Sequence, residues 1–109
     1  MTDQFSFNPR KWHRAAVQLP AQYFIKGQSA RYLDCTIIKL SRSGATVLFT
    51  PNELLKVKSS IFFELLVPKT CEQLTVKGEL KTKHKSEDGL TCGIQFESLL
   101  PEDMFAKLA

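Results

Sequence analysis

At 109 residues the chain has room for one compact domain and little more. Hydrophobic residues at 43% and charged residues at 24% exclude a disordered or fibrous chain, and the longest apolar runs, Ile61–Phe63 and Leu65–Val67, fall far short of the roughly 20 residues of a membrane-spanning helix. Fifteen Lys and Arg against eleven Asp and Glu leave a net charge of +4, which favours an anionic partner without naming it.

Residues 1–14 are polar, contain Pro9 and show no regular period, so they read as an extended arm. No apolar segment follows a basic start, so the expected location is the cytoplasm, with no membrane insertion. From Ala15 the pattern alternates: Ala15, Val17, Leu19, Ala21, Tyr23 and Ile25 form one face of a strand. Pro20 within it predicts an edge position or a bulge. Gly27-Gln28-Ser29 is a turn, and a second strand over 31–38 carries Leu33, Cys35 and Ile37 on one face. Ser41-Arg42-Ser43-Gly44 interrupts, and Ala45–Phe49 resumes as a third strand. Pro51-Asn52-Glu53 opens a polar connection with a helical turn through Leu55. Ile61–Val67, apolar on both faces, reads as a fourth, central strand.

In the fifth strand Leu74, Val76, Leu80 and Thr82 share a face, opposite Lys77, Glu79, Lys81, Lys83 and Lys85. Gly78 on the apolar face predicts a bulge or the close approach of another backbone. Ser86-Glu87-Asp88-Gly89 is a hairpin turn, and Leu90, Cys92, Ile94 and Phe96 alternate through a sixth strand. Pro101, Glu102 and Asp103 open a short helix whose apolar stripe is Met104, Phe105 and Leu108. Six strands without crossover helices predict an all-β fold: a six-stranded antiparallel β-barrel with a short C-terminal helix. The division expected is an arm over 1–14 and a barrel domain over 15–109.

Nothing here assembles an enzyme. His13 and His84 stand near no recognisable nucleophile and acid, the acids lack metal-ligand spacing, and no phosphate-cradling glycine loop is present. No cofactor and no metal site are expected. Cys35 and Cys92 share parity with core positions and read as small apolar fillers, whereas Cys71 lies in a loop. Their odd number and wide spacing fit reduced thiols.

Binding has better support. Arg10-Lys11-Trp12-His13-Arg14 concentrates cations and one indole just before the first strand. A guanidinium is a planar fork that grips phosphate or the O6/N7 edge of guanine through two parallel hydrogen bonds and stacks on a purine. In Lys39-Leu40-Ser41-Arg42-Ser43-Gly44, Gly44 lets a ligand approach the main chain, the Ser41 and Ser43 hydroxyls can bond a base edge or phosphate, and Arg42 adds a cation. The lysine row Lys77, Lys81, Lys83, Lys85 lacks the interleaved aromatics that stack single-stranded bases, so it reads as a solvated face and no DNA or RNA partner is expected.

R-x-x-x-R (Arg10, Arg14), a strand, then S-x-x-G (Ser41 to Gly44) and a late Gly93-Ile94-Gln95-Phe96 together resemble the PilZ domain, over nearly the whole chain. The resemblance implies a PilZ-like barrel that binds the bacterial second messenger cyclic di-GMP and passes the signal to a partner protein. The resemblance carries binding roles to Arg10, Arg14, Ser41 and Gly44; with Lys11, Lys39, Arg42 and Ser43 of the same two segments they make up the expected ligand-binding residues, and the arm is the element expected to order on the ligand. One position departs: the family pattern has Asp or Asn where this chain has Lys39. A carboxylate or amide oxygen accepts from guanine N1 and N2, and an ammonium has no acceptor. Losing one such contact costs about 1–3 kcal/mol, or about 5- to 150-fold in affinity. A second reading therefore stays open: a degenerate PilZ module that does not bind the nucleotide and acts as a protein-interaction adaptor, for example in motility or pilus assembly.

Overall fold

The alternating run after Arg14 forms strand β1 (Ala15–Ile25), followed by β2 (Leu33–Leu40), β3 (Gly44–Phe49), β4 (Ser60–Leu66), β5 (Gln73–Ser86), β6 (Gly89–Phe96) and helix α1 (Glu102–Leu108). The structure, a computed structural model, describes residues 14–28, 31–50, 55–68 and 70–109. The strands close into a barrel in the order β1-β2-β3-β6-β5-β4, every neighbouring pair antiparallel. The predicted six-stranded all-β barrel with a short terminal helix is the fold observed. Arg10, Lys11, Trp12 and His13 of the predicted arm, and the connection at Pro51-Asn52-Glu53, lie outside the described residues.

Alternation puts one face of each strand inside. Tyr23, Phe49 and Phe63 fill the centre, Tyr23 meeting Phe49 edge-on at 4.8 Å between ring centroids and Phe49 meeting Phe63 at 6.4 Å. Each such buried ring stabilises the fold by about 1.5–3 kcal/mol through burial alone. Cys35 and Cys92 are buried in the same core and Cys71 is exposed, the division their parity predicts. Burial pushes the Cys35 thiol up from 9.0 to about 12, with the Asp34 charge adding to it. Burial also raises Cys92, to about 11, against the opposing pull of Lys83.

Closure explains the strands whose sequence looked ambiguous. Pro20 is not on a free edge: it pairs with Thr36 just after an irregularity between Ala16 and Leu19, and the ladder to β4 begins only at Ala21. A residue without an N–H thus sits where one flank carries no partner strand. The apolarity of β4 on both faces has a similar cause. Ile61, Phe63 and Leu65 point inward, while Phe62 lies outside, paired with Phe24 and with the Lys77 ammonium 5.6 Å from its ring.

Two irregularities re-aim side chains, and neither is where the sequence placed one. Gly78 marks a close approach, since a Cβ there would press on Ile94 Cγ2, but the bulge falls after Leu80, at Lys81. The extra residue pairs Thr82 with Gly93 and Lys83 with the buried Cys92, reversing the faces expected for Thr82 and Lys83. Lys83 instead donates to the Leu55 carbonyl at 2.7 Å. The second irregularity lies in β2, where Ile37 pairs with Val47 and Lys39 already pairs with Thr46. It leaves both Ile37 and Leu40 in the core and turns Lys39 to solvent.

Candidate ligand-binding site

The re-aimed Lys39 belongs to a row that runs across the outside of the barrel: Ala16, Lys39, Thr46, Gly93 and Thr82, paired in succession from β1 to β5. Apart from the lysine these are small residues, so the wall is low there and open to a flat ligand. The guanidinium of Arg14 lies over it and donates to Thr46 Oγ1 at 3.3 Å. Arg14 and Lys39 thereby meet on one patch. The Ser41–Gly44 turn follows one residue pair further along, Leu40 with Ala45, about 7 Å from the Lys39–Thr46 pair.

The turn is closed by Ser41. Its N–H donates to the Gly44 carbonyl at 2.9 Å, and its hydroxyl accepts from the Ser43 and Gly44 N–H groups at 3.2 Å each. The same hydroxyl is 3.3 Å from the Gly44 carbonyl and 3.2 Å from the Ser43 hydroxyl. A short hydroxyl side chain folding back on following amides is the usual way Ser nucleates a turn. At 7% exposure Ser41 is the one buried polar residue among those described. The Ser43 hydroxyl is half-buried and reaches the rim of the turn. Gly44 is required by the barrel itself, because a Cβ there would collide with the backbone carbonyl of Ile94 on the facing strand.

Arg42 is bonded to the C-terminal segment. Its Nε donates to the Leu100 carbonyl at 2.6 Å, and its terminal nitrogen lies 3.4 Å from Glu102 Oε1. Of the eight residues singled out in the sequence, the structure brings together Arg14, Lys39, Ser41, Ser43 and Gly44, and ties Arg42 to the C-terminal segment. Arg10 and Lys11 lie outside the described residues. Thr46 and Gly93 were missed as part of the patch. The pattern gave no sign of them, because the register shift in β2 decides which residues share Lys39's row. Among the described residues no cluster of three His, Cys, Asp or Glu could hold a metal ion, and no helix is long and apolar enough to cross a membrane.

The barrel thus carries an arginine over its outer wall beside an S-x-x-G turn. The chain belongs to the PilZ domain family, whose family model matches residues 8–109, a span that includes Arg10 and Arg14. This is a family of cyclic di-GMP receptor and adaptor domains. Among solved structures the chain is similar to the inhibitor of motility MotI/DgrA of Bacillus subtilis, with 11% identity and a TM-score of 0.71 over 94% of this chain and 49% of that one. It thus spans about half the length of MotI/DgrA. It is also similar to the PilZ domain of CeSA from a cellulose-synthesizing bacterium, with 14% identity and a TM-score of 0.60 over 88% and 90% of the two chains. At these identities the likeness is one of fold. No curated protein sequence matches the chain.

Proposed function

We propose that the chain binds cyclic di-GMP on the patch formed by Arg14, Lys39 and the Ser41–Gly44 turn, and relays the signal to a partner protein in the cytoplasm without catalysing a reaction. The observation that carries the reading is the Arg14 guanidinium resting on Thr46, beside the turn, within a PilZ fold. A ligand with two purines and two phosphates suits such a fork: one guanidinium can hold a phosphate or the O6/N7 edge of a guanine while its face stacks on the base. Arg10 and Lys11 would add charge from the preceding segment, and Ser43 with the small residues of the row would line the ligand. Lys39 faces the same patch as a donor, directed at a phosphate or guanine O6 rather than at N1 and N2. The likeness to a protein named an inhibitor of motility makes a component of the motility apparatus a natural partner.

The adaptor reading draws on one specific observation, that the carboxylate or amide expected at position 39 is a lysine. Isothermal titration with cyclic di-GMP, with GMP as control, separates the two. Saturable binding at micromolar concentration that is lost in Arg14→Ala establishes the receptor. No binding by the native chain, with binding gained in Lys39→Asp, identifies an adaptor whose nucleotide site is disabled at one position. Silence from both chains removes the nucleotide from the account.

A further inference from the structure

The C-terminal helix leans on the same turn that borders the proposed site. Leu100, two residues before α1, is locked to Arg42 from both sides: its carbonyl accepts from Arg42 Nε at 2.6 Å, and its N–H donates to the Arg42 carbonyl at 2.8 Å. Glu102, the first residue of α1, faces the Arg42 guanidinium at 3.4 Å. One residue further along the turn, the Ser43 carbonyl accepts from the Phe96 N–H at 2.8 Å. Helix α1 has seven residues and no side-chain cap at Pro101, so it cannot hold itself together. Its far end is fixed by buried Leu108 and a 3.5 Å ion pair between Lys107 and Glu72, and its start is fixed by the turn.

We infer that Arg42 is a positioning residue that latches the Ser41–Gly44 turn to α1, so that turn and helix order as one unit and α1 reports what occupies the turn. As the output of the proposed nucleotide site this rests on that reading, whereas the latch itself is a property of the free chain. The guanidinium suits the task because it is a rigid fork: Nε serves the Leu100 carbonyl while the terminal nitrogen serves Glu102, and lysine cannot do both. Because coupling between two sites is reciprocal, loosening the helix must loosen the turn by the same factor that loosening the turn loosens the helix.

Hydrogen exchange followed by NMR on the full chain tests this. The turn is read at the Ser43 and Gly44 amides, and the helix at Phe105 and Ala109, which donate to Pro101 and Phe105 carbonyls. In the free chain Arg42→Gln is expected to accelerate all four amides by about fivefold or more while leaving β4 and β5 unchanged. Leu108→Ala, which loosens α1 from its far end, is expected to accelerate Ser43 and Gly44 as well. Glu102→Gln, which keeps the bond to the Leu100 carbonyl, is expected to change them less than twofold. Acceleration of the helix amides alone in either Arg42→Gln or Leu108→Ala overturns the latch. With saturating cyclic di-GMP, the native chain is expected to gain protection at Phe105 and Ala109, and Arg42→Gln to gain it only in the turn. A nucleotide that protects the turn but never the helix of the native chain overturns the reporter role. Absence of any heat on titration removes the nucleotide reading, and the free-chain exchange rates still decide the latch.

Discussion

The chain contains the same four-residue pattern twice, Ser41-Arg42-Ser43-Gly44 between β2 and β3 and Ser86-Glu87-Asp88-Gly89 between β5 and β6, and the two turns have opposite characters. In both, the serine hydroxyl reaches the glycine carbonyl, at 3.3 Å from Ser41 and 3.1 Å from Ser86. Both glycines also abut the β3–β6 ladder. A Cβ on Gly44 would strike the Ile94 carbonyl, and one on Gly89 would strike the Phe49 carbonyl, with Gly89 further held at φ +141°. The difference lies in the surroundings. Ser41 is buried, and its turn is bordered by Lys39 and Arg14 and bolted to the C-terminal segment through Arg42. Ser86 is exposed, and its turn carries Glu87 and Asp88 into solvent at the tip of a hairpin. An S-x-x-G pattern therefore specifies a serine-closed turn between antiparallel strands. Neighbouring charge and packing decide whether that turn suits an anion.

The largest effect expected is common to both turns and tests the shared half of the comparison. Gly44→Ala drives a methyl into a backbone carbonyl that cannot step aside without opening the ladder, and should cost about 3 kcal/mol in urea unfolding. Gly89→Ala should cost a similar amount, because it adds a positive φ to the same kind of collision. A loss below about 1 kcal/mol at Gly44 would mean that the glycine is there for a ligand rather than for Ile94.

The serines should then separate the turns. Ser41→Ala leaves the half-buried Ser43 and Gly44 N–H groups without this acceptor and is expected to cost about 1–2 kcal/mol, whereas Ser86→Ala, with water at hand, should cost about 0.5 kcal/mol or less. For a domain of this size each kcal/mol lowers Tm by about 4–8 °C, so thermal unfolding of the two variants side by side resolves the difference. Equal losses would erase the distinction between a built turn and a hairpin tip.

How far the sequence carried the site follows the same division. Strand alternation made the barrel legible, because inner residues such as Tyr23, Ile25 and Phe63 must be apolar and their period is two. The four residues of the site turn were legible for the same reason that Ser86–Gly89 was: serine and glycine at that spacing are local turn chemistry. The row that joins Lys39 to Thr46 and Gly93 was not legible, since it exists only because β2 skips a residue against β3. Simple alternation from Ile37 would have buried Lys39 and exposed Leu40. The bulge at Lys81 defeated the face assignment of Lys83 in the same way. The partnership of Arg42 with Leu100 and Glu102 spans nearly sixty positions, and no local pattern announces it.

The last expected effect is absent at neutral pH and concerns the strands that enter the first turn and leave the second. Cys35 lies on β2 and Cys92 on β6, both raised by burial from 9.0, to about 12 and about 11. A thiol is neutral when protonated, so a raised folded value means that the folded chain keeps its proton after the unfolded chain has lost it. Stability is unaffected below about pH 9 and falls above it, by up to about 1.4 kcal/mol per pH unit for each thiol, until the folded thiol itself titrates. Subtracting the unfolding free energy of Cys35→Val from that of the native chain cancels the lysines that titrate in the same range. The difference should be flat from pH 6 to 8 and turn against the native chain between pH 9 and 10.5. Cys92→Val should give the same sign with a window that closes about one unit earlier, because burial raises Cys92 only to about 11, opposed by the Lys83 charge, whereas at Cys35 the Asp34 charge adds to burial. A flat difference for Cys35 across the whole range would mean that water reaches β2 just before the first turn, and the packing that fixes Lys39 outward would then be looser than the register implies.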